Sequence, residues 1–93
     1  MRLSETERQA IRSAVAARDP VATVFLFGSR ADDAAKGGDI DLLVLSRSID
    51  LMAKLDILGE LHSRLGERRI DLAVYPDLSA PFARIARQNG VPL

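Results

Sequence analysis

The residues best placed to do chemistry are Gly28, Ser29 and Arg30, which follow an apolar run, and Asp39 and Asp41, which lead into another. Successive side chains on a strand alternate faces, so Asp39 and Asp41 point the same way and Ile40 the other. Carboxylates this close repel each other, and beside apolar chain they need a cationic partner. Mg²⁺, a hard cation that takes one or two carboxylates plus substrate phosphates, is the obvious candidate. Asp71, in the segment RIDLAVY, is a carboxylate in the same kind of setting. If its strand neighbours that of Asp41, three carboxylates converge, enough to hold two metals about 3.5–4 Å apart for in-line phosphoryl or nucleotidyl transfer. The Gly28-Ser29-Arg30 turn offers the complementary half. Glycine permits close backbone approach, exposed N–H groups and a hydroxyl donate to phosphate oxygens, and the guanidinium is a charged fork suited to phosphate.

The elements that must position these groups are legible in outline. Residues 4–18 read as a helix, with Ser4 and Glu7 forming a capping box and Leu3, Ile11 and Val15 a thin apolar stripe. Asp19-Pro20 ends it. Residues 21–27 (VATVFLF) read as a buried strand, 30–36 as a short helical turn, and 39–46 as a second strand with the aspartates at its entrance. Residues 50–65 form the clearest helix, with Leu51, Leu55, Leu58, Leu61 and Leu65 at helical spacing and Gly66 as its stop. Residues 69–75 form a third strand, and 79–88 a last helix with Phe82, Ile85 and Ala86 on one side. This alternation predicts an α/β fold: a single domain over residues 1–93, with a small mixed sheet of about three strands flanked by helices.

Composition narrows the partners. The chain has 93 residues, no cysteine and a formal net charge of zero. Disulfides and thiolate–zinc sites are excluded, and nothing pulls the protein globally toward nucleic acid. No apolar run approaches the roughly 20 residues needed to span a bilayer, and the N-terminal segment lacks the apolar centre of a signal peptide. The expected location is the cytoplasm, without membrane or direct nucleic-acid contact. The aliphatic helix faces are compatible with homo- or hetero-oligomers. His62, Tyr75 and the arginines Arg8, Arg12 and Arg18 are expected in structural or solvated positions, and Asp71 has Arg68 and Arg69 close by as ion-pair partners.

The pattern of Gly28-Ser29, nine intervening residues and Asp39-Ile40-Asp41 resembles the signature of the DNA polymerase β-like nucleotidyltransferase superfamily. It is most similar to the minimal nucleotidyltransferase (MNT) domains, including the antitoxins of HEPN/MNT toxin–antitoxin systems. GSRA, DIDLLV, RIDLAV and IARQNGVPL occur in the MNT order, so the resemblance runs from Val21 onward. It implies a nucleotidyltransferase fold in which Gly28 and Ser29 hold the triphosphate of ATP, with Arg30, by its own chemistry, a further candidate nucleotide ligand. Asp39, Asp41 and Asp71 would bind one or two Mg²⁺ ions, with Asp71 helping to deprotonate an attacking hydroxyl. It also implies a partner: many MNT domains pair with a HEPN-domain RNase toxin, and some add AMP to it. The loop departs from the usual MNT pattern, carrying Asp32 and Asp33 in a shortened GSRADD segment. That departure motivates the alternative, a catalytically weak MNT module that neutralises its partner by steric masking. A small-molecule acceptor is less expected, because the related enzymes carry an additional domain for it.

Overall fold

The computed structural model describes residues 3–28, 39–66 and 68–93. The chain runs α1 (Glu5–Ala16), β1 (Thr23–Phe27), β2 (Ile40–Leu45), α2 (Leu51–Leu65), β3 (Ile70–Tyr75), α3 (Pro81–Asn89) and β4 (Val91–Pro92). The strands form one mixed sheet in the order β3-β2-β1-β4. β2 and β3 are parallel, joined by the crossover helix that a parallel pair requires. β1 is antiparallel to β2 on one side and to β4 on the other. The expected α/β fold is present, with four strands among the described residues where about three were expected.

β4 is the element the sequence reading missed. It is only two residues long, one of them proline, so it carries no readable alternation, and proline is tolerated there because the strand lies at the sheet edge. Gly90 makes the turn into it. A Cβ at that position would lie 2.7 Å from the carbonyl oxygen of Ala86 and 3.1 Å from that of Leu26, so the chain can pass from α3 into the sheet only with glycine there.

Strand alternation divides the core. Ile40, Leu42 and Val44 of β2 pack with Leu26, Ile70 and Leu72 against Ile11 and Val15 of α1 and Ile57 and Leu61 of α2. Leu43 points the other way, onto Ala83 and Ala86 of α3, with Phe25, Phe27, Ala73 and Tyr75 around it. Asp41, two residues before Leu43, therefore belongs to the α3 side of the sheet.

Local chemistry sets the element boundaries. The capping box of α1 is present: Ser4 Oγ accepts from the Glu7 N–H and Glu7 returns a bond to the Ser4 N–H. The first strand starts at Thr23 rather than residue 21, because the Asp19 carboxylate captures the Val21 N–H in a turn, leaving Val21 84% exposed. Likewise α3 begins at Pro81 rather than residue 79, since Asp77 accepts the Ser79 N–H. The apolar stripes of the last two helices follow expectation only in part: Leu61 and Ala86 are buried, with Leu58 and Leu65 packed at the edge of the core. Leu51 and Leu55 are exposed while Ile57 and Leu61 are fully buried. Phe82 and Ile85 are exposed while Ala83 and Ala86 carry the contact. The expected helical turn over 30–36, with Lys36, lies outside the described residues.

Not all of the first three arginines singled out are merely solvated: Arg18, just past the end of α1, bonds the Ala14 carbonyl and reaches Glu60 of α2 at 2.7 Å, tying the two helices together. A second tie joins the segment before β1 to the one just after β2. The Ser46 hydroxyl, buried, donates to the buried Asp19 carboxylate and accepts the N–H groups of Ser48 and Ile49, both at 3.1 Å. Ser46→Ala leaves all three groups without that partner. It is expected to cost about 1–3 kcal/mol, read as a lower urea midpoint at unchanged slope.

Candidate active site

The site is built where three strand ends meet. In the β1–β2 ladder Asp41 stands opposite Phe27, and in the β2–β3 ladder it stands opposite Asp71. The Ile40 N–H donates to the Arg69 carbonyl at 2.9 Å, which pins the register at this end. Like charges directly opposite on neighbouring strands are unfavourable, and the electrostatics reflect it. Partial burial pushes the Asp41 carboxyl above the ordinary aspartate value, and its side-chain contact with Asp71 and the charge of Asp39 push it further. Arg69 opposes the shift. Its Nε lies 3.6 Å from Asp71 Oδ1, with both side chains largely exposed, so this pair is well screened. Arg68 turns away to Glu7 instead.

Gly28 closes the group from the β1 side. Its φ is +75°, and a Cβ there would overlap Asp41 Oδ2 and lie 3.2 Å from Asp41 Cγ. Glycine is thus required twice, by the backbone and by the carboxylate it abuts. Gly28→Ala is expected to destabilise the fold by about 1–2 kcal/mol. The loss should be read as a melting temperature lower by roughly 5–15 °C.

Of the residues singled out in the sequence, the structure brings Gly28, Asp41 and Asp71 together and leaves Asp39 as an exposed flanking charge at the entrance of β2. Ser29 and Arg30 lie outside the described residues, as do Asp32 and Asp33. Among the described residues, no three acidic, histidine or cysteine side chains are drawn into a metal cage. The donor set nonetheless fits a hard divalent cation: it is all oxygen, and two of its carboxylates are held in unfavourable contact that a cation would relieve. His62 is exposed on α2, as expected. A cavity of about 590 Å³ lies between α1 and α2 beside Glu5, Gln9 and Arg64, away from the carboxylates.

A family model described as polymerase beta, nucleotidyltransferase, matches residues 9–93. The chain belongs to this nucleotidyltransferase family. In polymerase beta nucleotidyltransferase terms, the matched span contains every element that bears the carboxylates. Among solved structures, one described as "Crystal structure the toxin-antitoxin MntA-HpeT mutant-D39ED41E" superposes with a TM-score of 0.71 at 22% identity, over 92% of this chain and 70% of that one. At that identity the likeness is one of fold. No curated protein matches the chain in sequence. No helix among the described residues is long and apolar enough to cross a membrane.

Sequence reasoning did not assign Phe27 to the site, although it stands opposite Asp41 in the β1–β2 ladder. The signal available was the position of Phe27, directly before Gly28.

Proposed function

We propose that this nucleotidyltransferase transfers AMP from Mg·ATP to a hydroxyl on a partner protein, acting as the antitoxin that modifies and neutralises a HEPN-type RNase toxin. The observation that carries the reading is the registered Asp41–Asp71 pair, in contact on one sheet face and abutting Gly28. Asp39 and Asp41 would hold Mg²⁺, which when bound neutralises charge on the triphosphate. Gly28 leaves the turn open for the phosphates, with Ser29 and Arg30 as further donors. Asp71, the most peripheral of the three carboxylates on the edge strand β3, accepts the proton of the attacking hydroxyl. The hydroxyl oxygen forms a bond to the α-phosphorus, the bond from that phosphorus to the bridging oxygen breaks, and pyrophosphate leaves.

A protein as acceptor is supported by the openness of the site: the carboxylates stand on a sheet end of a domain with a radius of gyration of 12.2 Å, and a docking partner would enclose them. The structural neighbour is a toxin–antitoxin assembly, which supports a toxin as that partner. The test uses ATP labelled at the α-phosphate in one reaction and at the γ-phosphate in another, with Mg²⁺ and lysate of the source cell. A protein band labelled only from the α-position is expected. A partner that co-purifies and is inhibited equally by Asp39→Asn, without label, would favour steric masking instead.

A further inference from the structure

The sheet face that bears the carboxylates also bears an aromatic shelf. Phe27 stands opposite Asp41 in the ladder and directly precedes Gly28. Phe82, next to the proline that opens α3, meets Phe27 edge-on, with ring centroids 5.7 Å apart and 79° between planes. Its other neighbour is Tyr75, at 5.8 Å and 34°. Beneath them lie Leu43 and Ala73, partners in the β2–β3 ladder. Ala73 is the next residue after Asp71 on the same face of β3, and its small side chain keeps the floor low between the carboxylate and Tyr75. Two rings support Phe82, yet it remains 45% exposed, and Ile85 beyond it on the helix is 59% exposed. An aromatic ring braced on one side and open on the other is a stacking platform.

We propose that Phe82, braced by Phe27 and Tyr75, stacks the nucleobase of the bound nucleotide. This rests on the reading that the site takes a nucleoside triphosphate. With the phosphates at Gly28 and Asp41, the end of the nucleotide still to be placed is a flat ring with apolar faces. Phe82 is the open aromatic surface contiguous with that site through Phe27. The nearby cation does not compete for the role of reading base edges: Arg84 is held by the Leu78 and Ser79 carbonyls at 2.9 and 2.8 Å. Every base has a π-face, so stacking here favours the larger purines over pyrimidines without selecting sharply between adenine and guanine.

The experiment compares Mg·ATP with Mg·tripolyphosphate, which lacks a base, by calorimetric titration of the wild type, Phe82→Ala, Phe82→Leu and Phe82→Trp. Phe82→Ala and Phe82→Leu are expected to weaken ATP about tenfold and to leave tripolyphosphate unchanged. Phe82→Leu keeps an apolar side chain on α3, which separates lost stacking from lost packing. Phe82→Trp should restore ATP affinity. As the chain has no other tryptophan, its fluorescence should respond to ATP and not to tripolyphosphate. Unchanged ATP affinity in folded Phe82→Leu overturns the assignment, and if transfer is lost at the same time the shelf serves the acceptor. Equal weakening of both ligands also overturns it, placing Phe82 in the phosphate site. If the wild type binds neither ligand, the nucleotidyltransferase reading fails first and the stacking role falls with it.

Discussion

Asp41→Asn is expected to abolish transfer and, in the same protein, to raise the melting temperature. Asp41 is the central member of the group, facing Asp71 across one ladder, Phe27 across the other and Gly28 at its tip. Removing its charge removes the ligand on which the proposed cation site depends, and a loss of about 10²–10³-fold in rate follows for a lost electrostatic group at a reacting centre. The amide is nearly isosteric, so packing is kept and the like-charge contact with Asp71 disappears. Such cross-strand repulsion is worth about 0.2–1 kcal/mol, so for a domain of this size the melting temperature should rise by about 2–5 °C.

The pH dependence has a definite sign. The folded Asp41 carboxyl is held above its ordinary value, so the folded chain binds its proton more tightly than the unfolded chain does. Its favourable contribution is therefore complete below the ordinary aspartate value and is lost as pH rises through the folded value. The stability gap between Asp41→Asn and wild type should be widest at neutral pH and close below about pH 4. Undiminished transfer by the folded variant would overturn the assignment of Asp41 as a metal ligand. A lowered melting temperature would overturn the account of like-charge strain.

The second large effect lies one residue away and on the opposite face of the same strand. Leu42 is fully buried in β2, flanked in the ladders by Leu26 and Leu72, and packs into the core beneath α1 and α2. Leu42→Ala removes that volume from the middle of the sheet, where neighbouring strands cannot collapse to fill it. The expected loss is about 3–4 kcal/mol, against a total stability of roughly 5–14 kcal/mol for a chain of this length. The melting temperature should fall by about 15–25 °C, and transfer should fade over the same temperature range because Asp41 is carried by this strand. Leu51→Ala is the matched control: Leu51 is 67% exposed on α2, and its truncation should change stability by less than about 0.5 kcal/mol. A comparable loss from both variants would contradict the division of the leucines into core and surface.

That division marks where sequence reasoning stopped. The leucines of residues 50–65 announce a helix by their spacing, and α2 is there. Yet spacing alone does not orient a helix whose apolar residues wrap around more than one face. Packing against β2 and β3 chose Ile57 and Leu61 and left Leu51 and Leu55 in solvent. The same happened in α3, where close approach to Leu43 demanded alanines and turned Phe82 outward. The two-residue β4 had no local signature because its strand conformation comes from pairing with β1.

From residue types and short-range spacing alone, the sequence determined the order of the main helices and strands, the capping of α1, and the Asp39/Asp41 pair at the entrance of β2. These are properties of a few neighbouring residues, and strand alternation places Asp39 and Asp41 on one side whatever the rest of the chain does. Only the tertiary structure decided that β3 lies beside β2 with Asp71 opposite Asp41, that Gly28 abuts the same carboxylate, and that Phe82 stands half-exposed against Phe27. Those are contacts between residues distant in the chain. They are set by how two layers of helices bury the two faces of one sheet, and that is settled by packing volume rather than by any local pattern.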